Sequence, residues 1–247
     1  MIVPASQLDT ESLNRRFEQQ QPQDVVAWAA DAFGNELVMT SSFGAESMLL
    51  VHMATRVFPR IKIIVVDTGY LFPETFQFLE SMRQRFDLNV WMYRTRNDPI
   101  AYLRRAGEEN PEFRKDIDSC CAANKNEPTE RAMQELKPSA WLRGVRRAQA
   151  ATRQAMPFVT WFDRYQCYAI SPLLRWSSKE IFGYMKQNDL PYHPLYEKGY
   201  LSIGCNPLSC TRPVQAGEDP RAGRWAGKGK MECGINVDSN SLDSANL

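Results

Sequence analysis

All but one of the six cysteines in this 247-residue chain sit where thiol chemistry could use them. Cys120 and Cys121 are adjacent, Cys205 and Cys210 form a second close pair far downstream, and Cys233 stands alone in a Gly-rich stretch. A vicinal pair rarely closes on itself, because that ring forces the backbone away from ordinary disulfide geometry. Two separated pairs of thiolates are what a four-cysteine iron–sulfur cluster needs. Cys233, in a segment whose composition reads as flexible, has the character of a working nucleophile. Cys167 falls in an apolar run and reads as a core thiol. With only His52 and His193 in the chain, a histidine-rich zinc site or a Ser-His-Asp triad has little to be built from.

These side chains need a scaffold, and a chain with 43% hydrophobic residues can bury a full core. From Thr211 onward Gly, Asn, Ser and charged residues dominate, so the expected division is a binding domain over residues 1–212 and a mobile tail over 213–247. The formal net charge of +1 gives no reason to expect nucleic acid or an anionic membrane as a partner. The N-terminus has no basic-then-apolar signal pattern and no apolar run approaches spanning length, so a cytoplasmic location is the default. Cysteines in that reducing compartment are more often ligands or redox catalysts than staples.

The pattern predicts an α/β fold. Residues 6–33 read as two helices, and Glu36-Leu-Val-Met-Thr40 as a buried strand. Ile61-Lys-Ile-Ile-Val-Val66 is the clearest strand, and residues 89–93, 141–144 and 168–171 read as others. Helical spacing returns over 46–55, over 73–86 with Pro73 in its first turn, and over 177–187. Strands alternating with such helices imply a mostly parallel, twisted sheet with helices on both faces. Ligands of such sheets bind outside the carboxyl ends of the strands, at a topological switch point.

Three motifs fall at that edge. Ser41-Ser-Phe-Gly-Ala-Glu-Ser47 joins a strand to a helix, and its small residues let backbone N–H groups face an anion. It lacks the Gly-Lys-Ser/Thr ending of a Walker A loop, and an ordinary strand–helix turn would read the same way. Asp67-Thr-Gly-Tyr-Leu-Phe-Pro-Glu-Thr75 offers a glycine for close backbone approach and an aromatic stretch that could flank a purine; a well-packed turn is the equal alternative. Arg143-Gly-Val-Arg-Arg147, with Arg153 beyond it, could clamp a phosphate or sulfate rather than form a solvated face.

Taken together, these stretches resemble the adenylyl-sulfate and phosphoadenylyl-sulfate reductases of sulfate assimilation. So do Ser171-Pro-Leu-Leu-Arg-Trp-Ser-Ser-Lys-Glu-Ile181, Asn188-Asp-Leu-Pro-Tyr-His-Pro-Leu-Tyr196 and Gly199-Tyr-Leu-Ser-Ile-Gly-Cys205. Glu218-Asp-Pro-Arg-Ala-Gly-Arg-Trp225 and Glu232-Cys-Gly-Ile235 complete the series, from about residue 30 to residue 237. The resemblance implies an adenine-nucleotide alpha-hydrolase-like fold and a concrete reaction. Cys233 would attack the sulfur of adenosine 5′-phosphosulfate, AMP would leave, and thioredoxin or glutaredoxin would release sulfite from the enzyme S-sulfocysteine. Substrate contacts would come from Ser41, Ser42, Phe43, Gly44, Glu46 and Ser47, from Asp67, Thr68 and Gly69, and from Arg143, Gly144, Arg146 and Arg147. Arg221 and Arg224 would join them from the Arg-x-Gly-Arg-Trp stretch. Members with both cysteine pairs hold a [4Fe–4S] cluster and generally use the substrate without a 3′-phosphate. That pattern makes Cys120, Cys121, Cys205 and Cys210 the metal ligands, with Lys125 between cluster and substrate. Self-association is left open.

The chain departs from that pattern in four places. Leu208 and Ser209 look inserted, so the second pair is spaced Cys-x4-Cys instead of Cys-x-x-Cys. Asn124 replaces the Arg that normally precedes the lysine, Asn236 replaces a common His, and the residues after Trp225 lack the usual aromatics. Rival readings are the same chemistry on the 3′-phosphorylated nucleotide, an ATP pyrophosphatase of the same fold, and a non-enzymatic iron–sulfur module. Ser-Phe-Gly-Ala-Glu-Ser47 in place of Ser-Gly-Gly-x-Asp-Ser, together with Cys233, favours the reductase over the pyrophosphatase.

Overall fold

Period-two alternation builds the centre of the molecule, and the two sets of alternating residues face different partners. The computed structural model describes residues 8–97, 117–206, 210–226, 230, 232, 234–236 and 238. Its six strands are β1 (Leu37–Thr40), β2 (Lys62–Asp67), β3 (Val90–Arg94), β4 (Ala140–Leu142), β5 (Val159–Phe162) and β6 (Cys167–Ile170). They form one sheet in the order β3-β2-β1-β4-β6-β5, parallel except for the β5–β6 pair. Leu37 and Met39, Ile63 and Val65, Ala140 and Leu142 point into one core; Val38, Ile64 and Trp141 between them point into another.

The first core is covered by α1 (Thr10–Phe17), α2 (Pro22–Phe33), α3 (Met48–Val57), α4 (Pro73–Arg85) and, far down the chain, α7 (Ser178–Gln187). Their starts follow local rules: Pro22 and Pro73 sit in first turns, and Ser177 and Glu180 form a reciprocal capping box. The opposite face is covered by α6 (Glu127–Leu136), through Ala132 and Met133. A short α5 (Ile117–Cys121) and a π turn (Ala122–Asn126) run directly into α6. Pro128 removes one donor and crowds the carbonyl four residues back, and the wider π turn before it accommodates both effects.

Element order and the parallel sheet agree with the sequence pattern, while α5–α6 and β5 are additions to it. The turn between β5 and β6 uses Gln166 at φ 51°, a position where glycine or asparagine would have signalled a hairpin. Strand order reverses between β1 and β4: β2 and β3 are added to one side of β1, and β4 and β6, running parallel to it, to the other. That is the switch point of an open parallel sheet, where diverging loops leave a crevice. Among the described residues no helix is long and apolar enough to cross a membrane.

Candidate active site

A cavity of about 280 Å³ opens at this switch point. Thr40 and the 41–47 loop line it from β1, Thr68 from the end of β2, and residues 143–146 from β4. The loop is tightly self-bonded. Phe43 N–H donates to Ser41 Oγ at 3.2 Å, Gly44 N–H donates to Ser47 Oγ at 2.9 Å, and Ser42 Oγ lies 3.4 Å from Ser47 Oγ. Phe43 adopts φ 44° so that its ring can drop into the core, fully buried. The serines therefore shape the loop as well as presenting hydroxyls to the cavity.

The fold separates the clustered arginines by partner. Arg146 is buried and donates to Glu46 Oε2 at 2.7 Å, inside the cavity wall. Burial raises the Glu46 carboxyl above its ordinary range, and the adjacent Arg146 guanidinium opposes that rise. Arg147 turns away from the cavity, donating to Glu18 and to the Met156 carbonyl. Arg153 is 4% exposed and forms two 2.6 Å bonds with the Glu232 carboxylate.

Arg143 differs from its neighbours. It is 3% exposed, its Nε donates to Ser171 Oγ at 2.9 Å, and one terminal nitrogen, Nη1, has no hydrogen-bond partner. Its guanidinium carbon lies 5.5 Å from the ring centres of both Trp141 and Phe162. Burial, with Arg153 as a like charge nearby, lowers its pKa to about 10, which still leaves it cationic at neutral pH. A buried, cationic donor without an acceptor, on a residue that lines the cavity, suits an anion-binding site. Arg224 repeats the feature: its Nε is buried without a partner and its guanidinium stacks 4.5 Å from the Trp225 ring centre.

The described part of the expected tail packs onto this site. Thr211 pairs with Arg224 in an isolated bridge, Thr211 and Trp225 are buried, and Arg221, Arg224 and Trp225 line the cavity. Further on, Glu232, Ile235 and Asn236 line it as well. Arg164 donates to the Gly234 carbonyl at 2.7 Å, Tyr165 Oη donates to the Ile235 carbonyl at 3.4 Å, and Asp238 accepts from the backbone N–H groups of Asp163 and Arg164. Cys233, Leu208 and Ser209 lie outside the described residues.

The four predicted metal ligands are thiols of the right kind in one region of the fold. Cys205 Sγ lies 3.3 Å from Thr68 Oγ1 at the cavity wall. Cys121 and Cys210 pack in one apolar cluster with Ile117, Trp225 and Ile235, and Cys120 Sγ lies 3.6 Å from Asn124 Nδ2. Among the described residues, however, no three Cys, His, Asp or Glu side chains come together as a metal-ligating group. The donor chemistry suits iron, but the donors as placed do not form a ligand set. Lys125, on the π turn, lines the cavity. Asn124 is a buried hub that accepts from Thr95 Oγ1 at 2.8 Å and from Asn97 Nδ2 at 3.1 Å, and donates to the Cys120 carbonyl.

Of the predicted substrate residues, Ser41, Ser42, Gly44, Glu46, Ser47, Thr68, Lys125, Arg143, Gly144, Arg146, Arg221 and Arg224 line the cavity. Four do not. Phe43 is core, and Arg147 braces the α1 end through Glu18. Asp67 is 2% exposed and accepts from Gly69 N–H and Arg94 Nε, each at 2.8 Å. Gly69 sits at φ 78° and serves the shape of that turn. Gln149, Arg153 and Glu232 also line the cavity. The spacing of Arg153 behind the basic cluster hinted at its place, whereas nothing local marked Gln149.

The sequence profile of the phosphoadenosine phosphosulfate reductase domain matches residues 36–213. The chain belongs to the phosphoadenosine phosphosulfate reductase family. It is 39% identical to a Gloeobacter violaceus protein named phosphoadenosine 5′-phosphosulfate reductase, covering 94% of this chain and 95% of that one. It is 36% identical to a Shouchella clausii protein named adenosine 5′-phosphosulfate reductase, covering 93% of each. The solved phosphoadenylyl-sulfate reductase of Candida auris superposes with a TM-score of 0.71 at 26% identity, over 83% of this chain and 98% of that one. Candida glabrata FMN adenylyltransferase, at 14% identity and a TM-score of 0.58, covering 99% of this chain and 86% of that one, shares the fold alone. Membership makes this family member an oxidoreductase acting on sulfur in sulfate reduction.

Proposed function

We propose that the chain reduces a sulfonucleotide to sulfite, with adenosine 5′-phosphosulfate as substrate and Cys233 as nucleophile. The observation that carries this reading is Arg143, a buried cation with an unpartnered donor on a residue that lines a switch-point cavity. In the reaction, the Cys233 thiolate forms a bond to the substrate sulfur while the bond from that sulfur to the phosphate oxygen breaks. AMP leaves with the electron pair. A thiolate of thioredoxin (or glutaredoxin) then attacks the Cys233 sulfur and expels sulfite. Its second thiol closes a disulfide, so the dithiol is oxidised and Cys233 is regenerated. Cationic neighbours would hold the nucleophile as thiolate and stabilise charge on the leaving phosphate.

The 3′-phosphorylated nucleotide is the second reading, favoured by the name of the Gloeobacter violaceus relative; the Shouchella clausii name favours the first. Comparing kcat/KM for the two nucleotides decides between them. Cys120, Cys121, Cys205 and Cys210 are the residues that would hold a [4Fe–4S] cluster, and no step above is routed through one. Iron and acid-labile sulfide on anaerobically purified protein test that assignment: about four of each per chain supports it, and near-zero iron removes it. A cytoplasmic setting, where thioredoxin-type donors are reduced, suits the cycle. Cys233→Ser tests the core of the proposal. We expect sulfite release to vanish while nucleotide binding persists, and retained turnover would refute the nucleophile assignment.

A further inference from the structure

We infer that the Arg153–Glu232 ion pair is the anchor that positions the Cys233 segment over the cavity, which makes Arg153 a positioning residue. This rests on the reading of Cys233 as the nucleophile, to which Glu232 is directly bonded in the chain. The pair is bidentate, with Arg153 Nε to Glu232 Oε2 and Nη2 to Oε1 both at 2.6 Å. It is also buried, the side chains being 5% and 9% exposed. A carboxylate and a guanidinium are removed from water only where each satisfies the other, and removing one leaves the second charge stranded. Arg153 Nη1 also donates to Gln149 Oε1, and Gln149 lines the same cavity. The guanidinium is thus also held from the domain side.

The second half of the anchor lies on the other side of residue 233. Arg164 holds the Gly234 carbonyl and is itself held by Glu130, its Nε donating at 2.8 Å. A Cβ on Gly234 would fall 2.5 Å from Asn126 Nδ2, so the backbone there lies directly against the π turn. The two contacts differ in kind. Gly234 offers a backbone carbonyl, which any residue could supply, whereas the Glu232 contact depends on one carboxylate and is the only ion pair among these described contacts. Docking of this segment should therefore depend steeply on the Glu232 carboxylate.

The test uses the full-length protein and two variants, Glu232→Gln and Arg153→Met, each checked for an unchanged thermal melt. With saturating sulfonucleotide, single-turnover formation of the Cys233 adduct, followed by peptide mass spectrometry, should fall at least about 30-fold, the low end for truncating a buried charge pair. Nucleotide affinity should stay within about threefold for Glu232→Gln. Alkylation of Cys233 by neutral iodoacetamide, read at the high-pH plateau where thiolate fraction no longer matters, should speed up by at least about tenfold in both variants. Unchanged adduct formation with unchanged plateau alkylation would overturn the inference. So would weakened nucleotide binding with wild-type plateau alkylation, since Arg153 would then serve the ligand alone. If the wild-type protein forms neither adduct nor sulfite, the reductase reading fails, and the alkylation plateau still decides whether the pair docks the segment.

Discussion

Gly204→Ala separates ligand binding from folding at this site. The backbone at Gly204 is outside the left-handed region, so alanine suits it conformationally. Its new Cβ would nevertheless fall 2.4 Å from Arg224 Nη2 and 2.5 Å from both Cζ and Nη1. The guanidinium must move, and as the far end of a flexible side chain it can do so cheaply. What it loses in the fold is the stacking 4.5 Å from the Trp225 ring centre, worth about 0.5–1 kcal/mol. What it loses toward an anionic ligand is a charge-assisted hydrogen bond of about 1.5–3 kcal/mol, or roughly 10–150-fold in affinity. Calorimetric titration with AMP and a thermal melt should therefore diverge: much weaker binding at nearly unchanged stability. Gly223→Ala is the control, because its Cβ would meet the Arg212 carbonyl oxygen at 2.2 Å, a backbone atom that cannot swing aside. That variant should lose stability as well. Wild-type affinity in Gly204→Ala would refute a ligand role for Arg224, and a drop in melting temperature as large as that of Gly223→Ala would make the stacked guanidinium structural.

Two other predictions follow from buried charge. Arg143→Met should leave stability unchanged or slightly raised, since it removes a desolvated cation with an unpartnered donor, while nucleotide affinity falls at least about tenfold; urea melts beside binding isotherms check both halves. His193 is buried, accepts the Leu195 N–H at Nδ1, and so donates from Nε2 to Thr75 Oγ1 at 3.0 Å as the neutral tautomer. Burial holds its pKa down at about 4, against weak opposition from Glu74. The unfolded chain then binds the extra proton first, so this contribution is complete above about pH 6.5 and is lost as pH falls toward 4, up to about 3 kcal/mol. His193→Asn should flatten the urea-midpoint profile between those pH values, and a parallel profile would contradict the assignment.

The sheet was legible in the sequence because its signal is local: 61–66 alternates between two cores, and Pro73 and Ser177 mark helix starts. What escaped notice lacked local marks. The β5–β6 turn has neither glycine nor asparagine at its positive-φ residue, and α6 carries a proline that reads as a breaker until the π turn before it is visible. Asn124, a departure from the family pattern, turns out to be a buried hydrogen-bond hub joining the end of β3 to the Cys120 turn, a role that sequence spacing cannot express.

The arginines show most plainly where sequence reading stops. Arg143, Arg146, Arg147 and Arg153 look interchangeable as a basic cluster, and the fold gives each a different electrostatic fate. Arg147 leaves the cavity for Glu18; Arg146 is neutralised by Glu46 and Arg153 by Glu232. Of the four, Arg143 is the one with a fully buried donor that has no partner, and it lines the cavity. A count of basic residues therefore overstates the charge that a ligand meets. Positive charge is added by Arg224, from the segment that returns over the site after Thr211. Ligand affinity should then depend on that segment being seated, because the domain supplies one uncompensated guanidinium and the returning chain supplies its complement.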